Sequence, residues 1–108
     1  MKARIKVASF DTSMWGGMNP TNRRETAYLV ETGDSIHTLG LDVPHEFKIV
    51  DVRPKSVDIL VHPEVRFSSS DKYSTVGLLT LEVGETIDLQ MISFDAWGNW
   101  VVMLAGIV

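Results

Sequence analysis

Asp51 and Asp58 are the first residues whose placement could do chemistry. Arg53-Pro54-Lys55-Ser56 reads as a turn between two β-branched runs, because proline pre-sets φ for the second position of a type I turn. In that hairpin Val52 faces Val57, Val50 faces Ile59, and Asp51 lies directly opposite Asp58. Facing carboxylates repel. They serve a cation site, or a dyad in which one member's raised pKa does acid–base work. The plainer reading is a solvated pair neutralised by Lys48, Arg53 or Lys55, in which case Asp58→Asn is neutral or slightly stabilising.

Histidine is the second source of chemistry. His37, His45 and His62 are the only imidazoles, and none has the i, i+2 or i, i+4 spacing of a metal pair. A metal site would need all three to converge in space. The hairpin register sets Phe47 opposite His62, which suggests a ring stacked on an aromatic rather than a ligand. The chain has no cysteine, so disulfides, zinc fingers, iron–sulfur sites and cysteine nucleophiles are excluded. Gly-x-Ser-x-Gly, P-loop and dinucleotide fingerprints are absent, and Ser68-Ser69-Ser70-Asp71 reads as a plain loop.

The third set is apolar. Met14, Trp15 and Met18 sit in a glycine-rich stretch, and Trp97 and Trp100 flank Gly98-Asn99. Tryptophan on a loop stacks on sugars or anchors a protein contact, and methionine-bearing surfaces suit interfaces. Met14, Trp15, Met18, Trp97 and Trp100 are therefore the expected partner- or ligand-binding residues, although Trp100 at a strand start also fits the core.

The elements that must position these residues are strands. Val, Ile and Thr total 28 of the 108 residues against 5 Ala, and β-branched side chains favour a pleated surface. Ile5 and Val7 alternate with Arg4 and Lys6, and Leu79, Leu81 and Val83 alternate with Thr80 and Glu82. No window carries a helical apolar stripe. Strands are expected near 3–11, 26–32, 46–52, 57–62, 76–82, 86–95 and 99–107, with shorter pieces near 35–39 and 65–68. Seven to nine short strands imply one all-β domain over 1–108, a small, mainly antiparallel sandwich or barrel. Apolar matching sets Leu81 opposite Ile87 and Leu79 opposite Leu89 across an odd-numbered loop. Asp95 to Asn99 fits a three-residue loop with Gly98 in the left-handed region and Phe94 opposite Trp100. Thr12 to Glu25 has no periodic pattern.

Two short stretches resemble known families. Gly33-Asp34-Ser35-Ile36 followed by Val43-Pro44-His45-Glu46-Phe47 is similar to the second conserved motif of cupins, in which the histidine is a metal ligand on a barrel wall. The Pro-x-Gly of that motif is missing and no His-x-His precedes it, so the similarity is one of strand, turn and strand. Phe94-Asp95-Ala96-Trp97-Gly98-Asn99 is similar to one unit of tyrosine–aspartate hairpin repeats, but it occurs once.

Ten basic against fourteen acidic residues give a net charge of −4, the opposite of a nucleic-acid footprint. The N-terminal residues alternate charged and apolar, unlike a signal peptide, and the longest apolar run, Trp100 to Val108, is too short for a membrane helix. A cytoplasmic location is the default expectation. The final strand is apolar on both faces, so both must be covered. The leading expectation is a non-enzymatic module for protein binding or homo-oligomeric assembly, with no cofactor, nucleic acid or membrane partner. A ligand- or carbohydrate-binding barrel lined by Trp15, Tyr28, Phe47, Trp97 or Trp100 is the alternative, and a cupin-like metal enzyme the third.

Overall fold

A computed structural model describes residues 1–17, 19–68, 75–93 and 95–108. Eight strands follow one another: β1 (Ala3–Ser13), β2 (Thr21–Val30), β3 (Ser35–Gly40), β4 (Val43–Val52), β5 (Ser56–Phe67), β6 (Val76–Glu82), β7 (Thr86–Ser93) and β8 (Ala96–Ile107). All pairings are antiparallel, in the order β2-β1-β8-β7-β5-β4-β3, with β6 also paired to β5. The sheet curls into a nearly closed barrel whose unpaired ends, β2 and β3, flank an open seam. The protein is all-β, a small antiparallel barrel-like sandwich.

Alternation supplies the core. Ile5 and Val7 of β1, Phe47 and Ile49 of β4, Val57 and Ile59 of β5, and Trp100, Val102 and Leu104 of β8 all point inward and are buried. Removing that much apolar surface from water is the main stabilising term. At the seam end of β8 the packing is tight. A Cβ at Gly40 would lie 2.4 Å from Trp100 Cη2, and one at Gly98 would lie 2.9 Å from Gly40 Cα. Glycine at both positions lets the end of β3 close over β8.

The expected strands near 57–62 and 65–68 are one strand, β5, which changes partners along its length. Its first part pairs with β4 and β6, and Arg66 and Phe67 pair with β7. The proline between those parts has no N–H to donate, and the β5–β6 register shifts between Leu60 and Val65.

Four register expectations are corrected. Val50 does not face Ile59: a bulge places Ile49 opposite Ile59 while Asp51 still faces Asp58, and Val50 is exposed. The same bulge moves Phe47 opposite Val61 and leaves Glu46 opposite His62. β6 and β7 do not form a hairpin. Leu81 pairs with Val57 and Leu79 with Ile59, whereas Ile87 pairs with Val102 and Leu89 with Trp100. The connection instead crosses between neighbours, with the Gly84 N–H donating to Leu104 at 2.8 Å and the Leu104 N–H to Glu85 at 3.2 Å.

The last hairpin is tighter than expected. Ser93 pairs with Ala96, so only positions 94 and 95 separate the strands, and Gly98 lies inside β8 with no positive φ. Leu89, not Phe94, faces Trp100; Phe94 itself is outside the described residues. Residues 69–71 of the expected serine loop are also outside them.

β2 begins at Thr21, inside the stretch that shows no pattern in sequence, because its first residues are exposed on both faces. The β3–β4 turn has φ of 51° at Leu41 and 63° at Asp42, as a two-residue type I′ hairpin turn demands. The Leu41 N–H donates to Asp11 Oδ1 at 3.1 Å, tying this uncommon backbone to β1.

Candidate functional site

The two carboxylates meet as expected, but a cation holds them. Arg53 donates to Asp58 through Nη1 (2.6 Å) and Nη2 (2.7 Å), and Nη1 also reaches Asp51 at 3.3 Å. The Thr80 hydroxyl donates to Asp58 Oδ1 at 2.6 Å. Arg53, then Thr80, hold the Asp58 carboxyl down at about 2, and the same pair raises Arg53 above its ordinary value. Among the described residues no group of three His, Asp or Glu could hold a metal ion.

This network reverses the expectation for Asp58→Asn. The substitution removes the negative charge and one of the two oxygens that accept from the Arg53 guanidinium, and is expected to cost about 1 kcal/mol at neutral pH, with solvent screening keeping the figure low. Because the folded carboxyl titrates below its unfolded value of 3.8, its contribution is complete above about pH 5 and is lost progressively as pH falls towards about 2. Urea melts of parent and variant between neutral pH and pH 2 check this. The stability gap should narrow only at the acid end.

The histidines do not converge. His45 points inward and is buried, with its Nδ1 2.9 Å from the Val43 carbonyl oxygen. Its ring packs against Trp100, with centroids 4.6 Å apart. His37 and His62 are exposed on the outward side, each opposite Glu46 from neighbouring strands. Strand alternation puts His45 inside the wall and His37 and His62 on the outward faces of their strands, so among the described residues the three imidazoles form no group that could hold a metal ion.

The aromatic set divides three ways. Trp100 has no exposed surface, so it belongs to the core and cannot reach a partner. Phe47 is likewise buried and lines no mouth. Trp97 is half-buried on the outer face of β8, opposite Thr12 and Ile92 on the adjoining strands, and Met18 lies outside the described residues. Met14 and Trp15, by contrast, stand at the β1–β2 tip with 67% and 89% of their surfaces exposed.

That tip is held by the neighbouring hairpin. The Met14 N–H donates to the Asp95 carbonyl at 2.9 Å, and the Trp15 indole N–H donates to the Asp95 carboxylate. The Gly16 N–H donates to Ser13 Oγ at 3.0 Å, closing the turn. One aspartate thus orients the ring while leaving its faces free. In sequence Asp95 reads only as a turn former; its role depends on a contact between residues 80 positions apart.

The open seam is a second site, a cleft of about 440 Å³ between β1–β2 and β3–β4. From β2 it receives Arg24, Thr26 and Tyr28, opposite Ser9, Val7 and Ile5 of β1. Thr38 and His45 form its far wall. Asp11, at its rim, accepts the Leu41 N–H and the Asn22 side-chain amide (3.0 Å). Sequence reasoning could not assemble this cleft, because its residues come from four strands with no common motif.

Together these features define a small antiparallel β-barrel-like protein with a presented aromatic tip and a polar seam. No protein-family model, curated protein or solved structure matches the chain.

Proposed function

We propose that the protein is a non-enzymatic β module whose role is assembly, through contact with a second copy of itself, and that the β1–β2 tip is the anchor. One observation carries this reading: among the described residues Trp15 is the most exposed large apolar side chain, yet its indole N–H is tied to Asp95. A ring fixed before contact loses little conformational freedom on binding, which is the advantage of a preorganised anchor. Tryptophan is also the residue type most enriched among energetically dominant interface positions. The outer face of the adjoining strands supports the same use, because Phe10, Trp97, Val101 and Met103 are only half-buried there. Met103 and Val101 lie opposite Lys6 and Ala8 on β1 and Thr86 and Asp88 on β7, giving the apolar strip a polar edge. Interfaces have that anatomy.

Trp15→Glu tests the anchor. Light scattering should show the oligomer of the parent replaced by the 12.0 kDa chain, and because the ring packs on no core residue any difference in melting temperature should come from the lost assembly alone and shrink as both proteins are diluted. An unchanged assembly state would remove Trp15 from the contact.

A further inference from the structure

We propose that the seam between β2 and β3 is a binding site for a neutral carbohydrate, a mono- or disaccharide, separate from the assembly surface at the hairpin tip. The cleft's volume, about 440 Å³, lies in the usual range of small-molecule sites, roughly 300–1,000 Å³. The seam exists because β2 and β3, the two ends of the sheet, are not hydrogen-bonded to each other.

The charges around the cleft argue against an ionic ligand. One guanidinium, Arg24, and three carboxylates, Asp11, Asp42 and Glu46, line it together with the His37 imidazole. An anion would meet all three acids, and a cation would meet Arg24, which is in no ion pair among the described residues. What remains well matched is a neutral molecule carrying several groups that both donate and accept. Vicinal sugar hydroxyls do this. Arg24 donates, the free lone pairs of the acids accept, and the hydroxyls of Ser9 and Thr26 do either. Tyr28, half-buried on the same side of β2, offers an aromatic face to the apolar side of a sugar ring.

His45 adds a separate reason to expect a hydroxyl. Its Nδ1 lies 2.9 Å from the Val43 carbonyl oxygen, which can only accept, so Nδ1 carries the proton and donates. In the neutral ring Nε2 is then an acceptor. That atom is shielded from solvent and has no partner among the described residues. A buried acceptor left unmade is costly, and because His45 lines the cleft, a small rotation of its ring would present Nε2 to a ligand hydroxyl.

Saturation-transfer NMR and calorimetry with a panel of neutral methyl glycosides, maltose and cellobiose test the site, with inorganic phosphate and spermidine as charged probes. At least one sugar should bind the parent protein. Arg24→Ala and Tyr28→Leu should each weaken that sugar at least tenfold, about the loss of one charge-assisted or stacked contact; Arg24→Ala should leave the melting temperature unchanged, and Tyr28→Leu, which keeps an apolar side chain against the core, should lower it by only a few degrees. Trp15→Glu should leave sugar binding intact, which separates this site from the assembly reading. Absence of binding by every sugar, equal affinity in the Arg24 and Tyr28 variants, or binding of phosphate or spermidine in place of sugar would overturn the proposal.

Discussion

Gly40→Ala is expected to destabilise the protein by about 3 kcal/mol, the upper part of the range for overpacking a filled core. The added methyl would lie 2.4 and 2.5 Å from Cη2 and Cζ2 of Trp100, far inside van der Waals contact. Trp100 has little room to retreat. It is fully buried, packs against His45 and Phe47, and donates its indole N–H to Thr38 Oγ1 at 3.3 Å. Gly106→Ala is the matched control, since a Cβ there meets nothing within 4 Å. Denaturant melts of the two variants should therefore differ by most of the Gly40 effect. Combining Gly40→Ala with Trp100→Phe should recover part of the loss, because the smaller ring vacates the space that the methyl needs. Simple additivity of the two would mean that the clash is not with Trp100.

Leu81→Asp is expected to cost more, about 4–5 kcal/mol or above, because it places an unpaired carboxylate in a site with no exposed surface. A domain of this size has roughly 5–15 kcal/mol in hand, so the variant should be largely unfolded or close to it. Thr80→Asp, one residue away and facing outward, is expected to cost about 1 kcal/mol. Its effect comes from the loss of the hydroxyl that donates to Asp58 and from a new carboxylate beside it. The partner strand can be measured as well. A double-mutant cycle between Leu81→Ala and Val57→Ala should show coupling, since these residues face each other across β5 and β6. The cycle with Ile87→Ala should show less, because Ile87 faces Val102 on β8.

The Leu81 case shows what alternation can and cannot reveal. That Leu79 and Leu81 point inward is legible from period 2 alone, and so is the inward face of β1. Which strand they pair with is not, because Ile87 and Leu89 match their apolar pattern as well as Val57 and Ile59 do. The choice is made by a connection that carries the chain past its sequence neighbour, through backbone bonds between Gly84, Glu85 and Leu104. Val50 is a different failure. A bulge adds one residue to one strand without any marker in residue type, so Asp51–Asp58 and Val52–Val57 hold on one side of it while Phe47–His62 slips on the other. The Leu41-Asp42 turn lacks the glycine or asparagine that such turns favour, and it is held by Asp11 from a distant strand.

For the sites, the tip was readable as a place and not as a mechanism. Methionine and tryptophan among glycines mark an exposed loop, but nothing nearby in sequence indicates that Asp95 restrains the ring. Trp100 carries two readings in sequence, and as a strand start it fits the core, where it lies. Beside Trp97 and Gly98 it resembles a loop aromatic, yet the strand runs on through Gly98 and turns its ring inward under Gly40. The carboxylate pair was correctly located. Its neutraliser, Arg53, lies in the turn itself, and the geometry that makes it bidentate to Asp58 emerges only once the turn is built.

Sedimentation equilibrium of the unmodified protein over a dilution series tests the proposed assembly most directly. Self-association through the Trp15 tip requires a molar mass above the 12.0 kDa of one chain at high concentration, falling towards it on dilution. A single 12.0 kDa species at every concentration would contradict it.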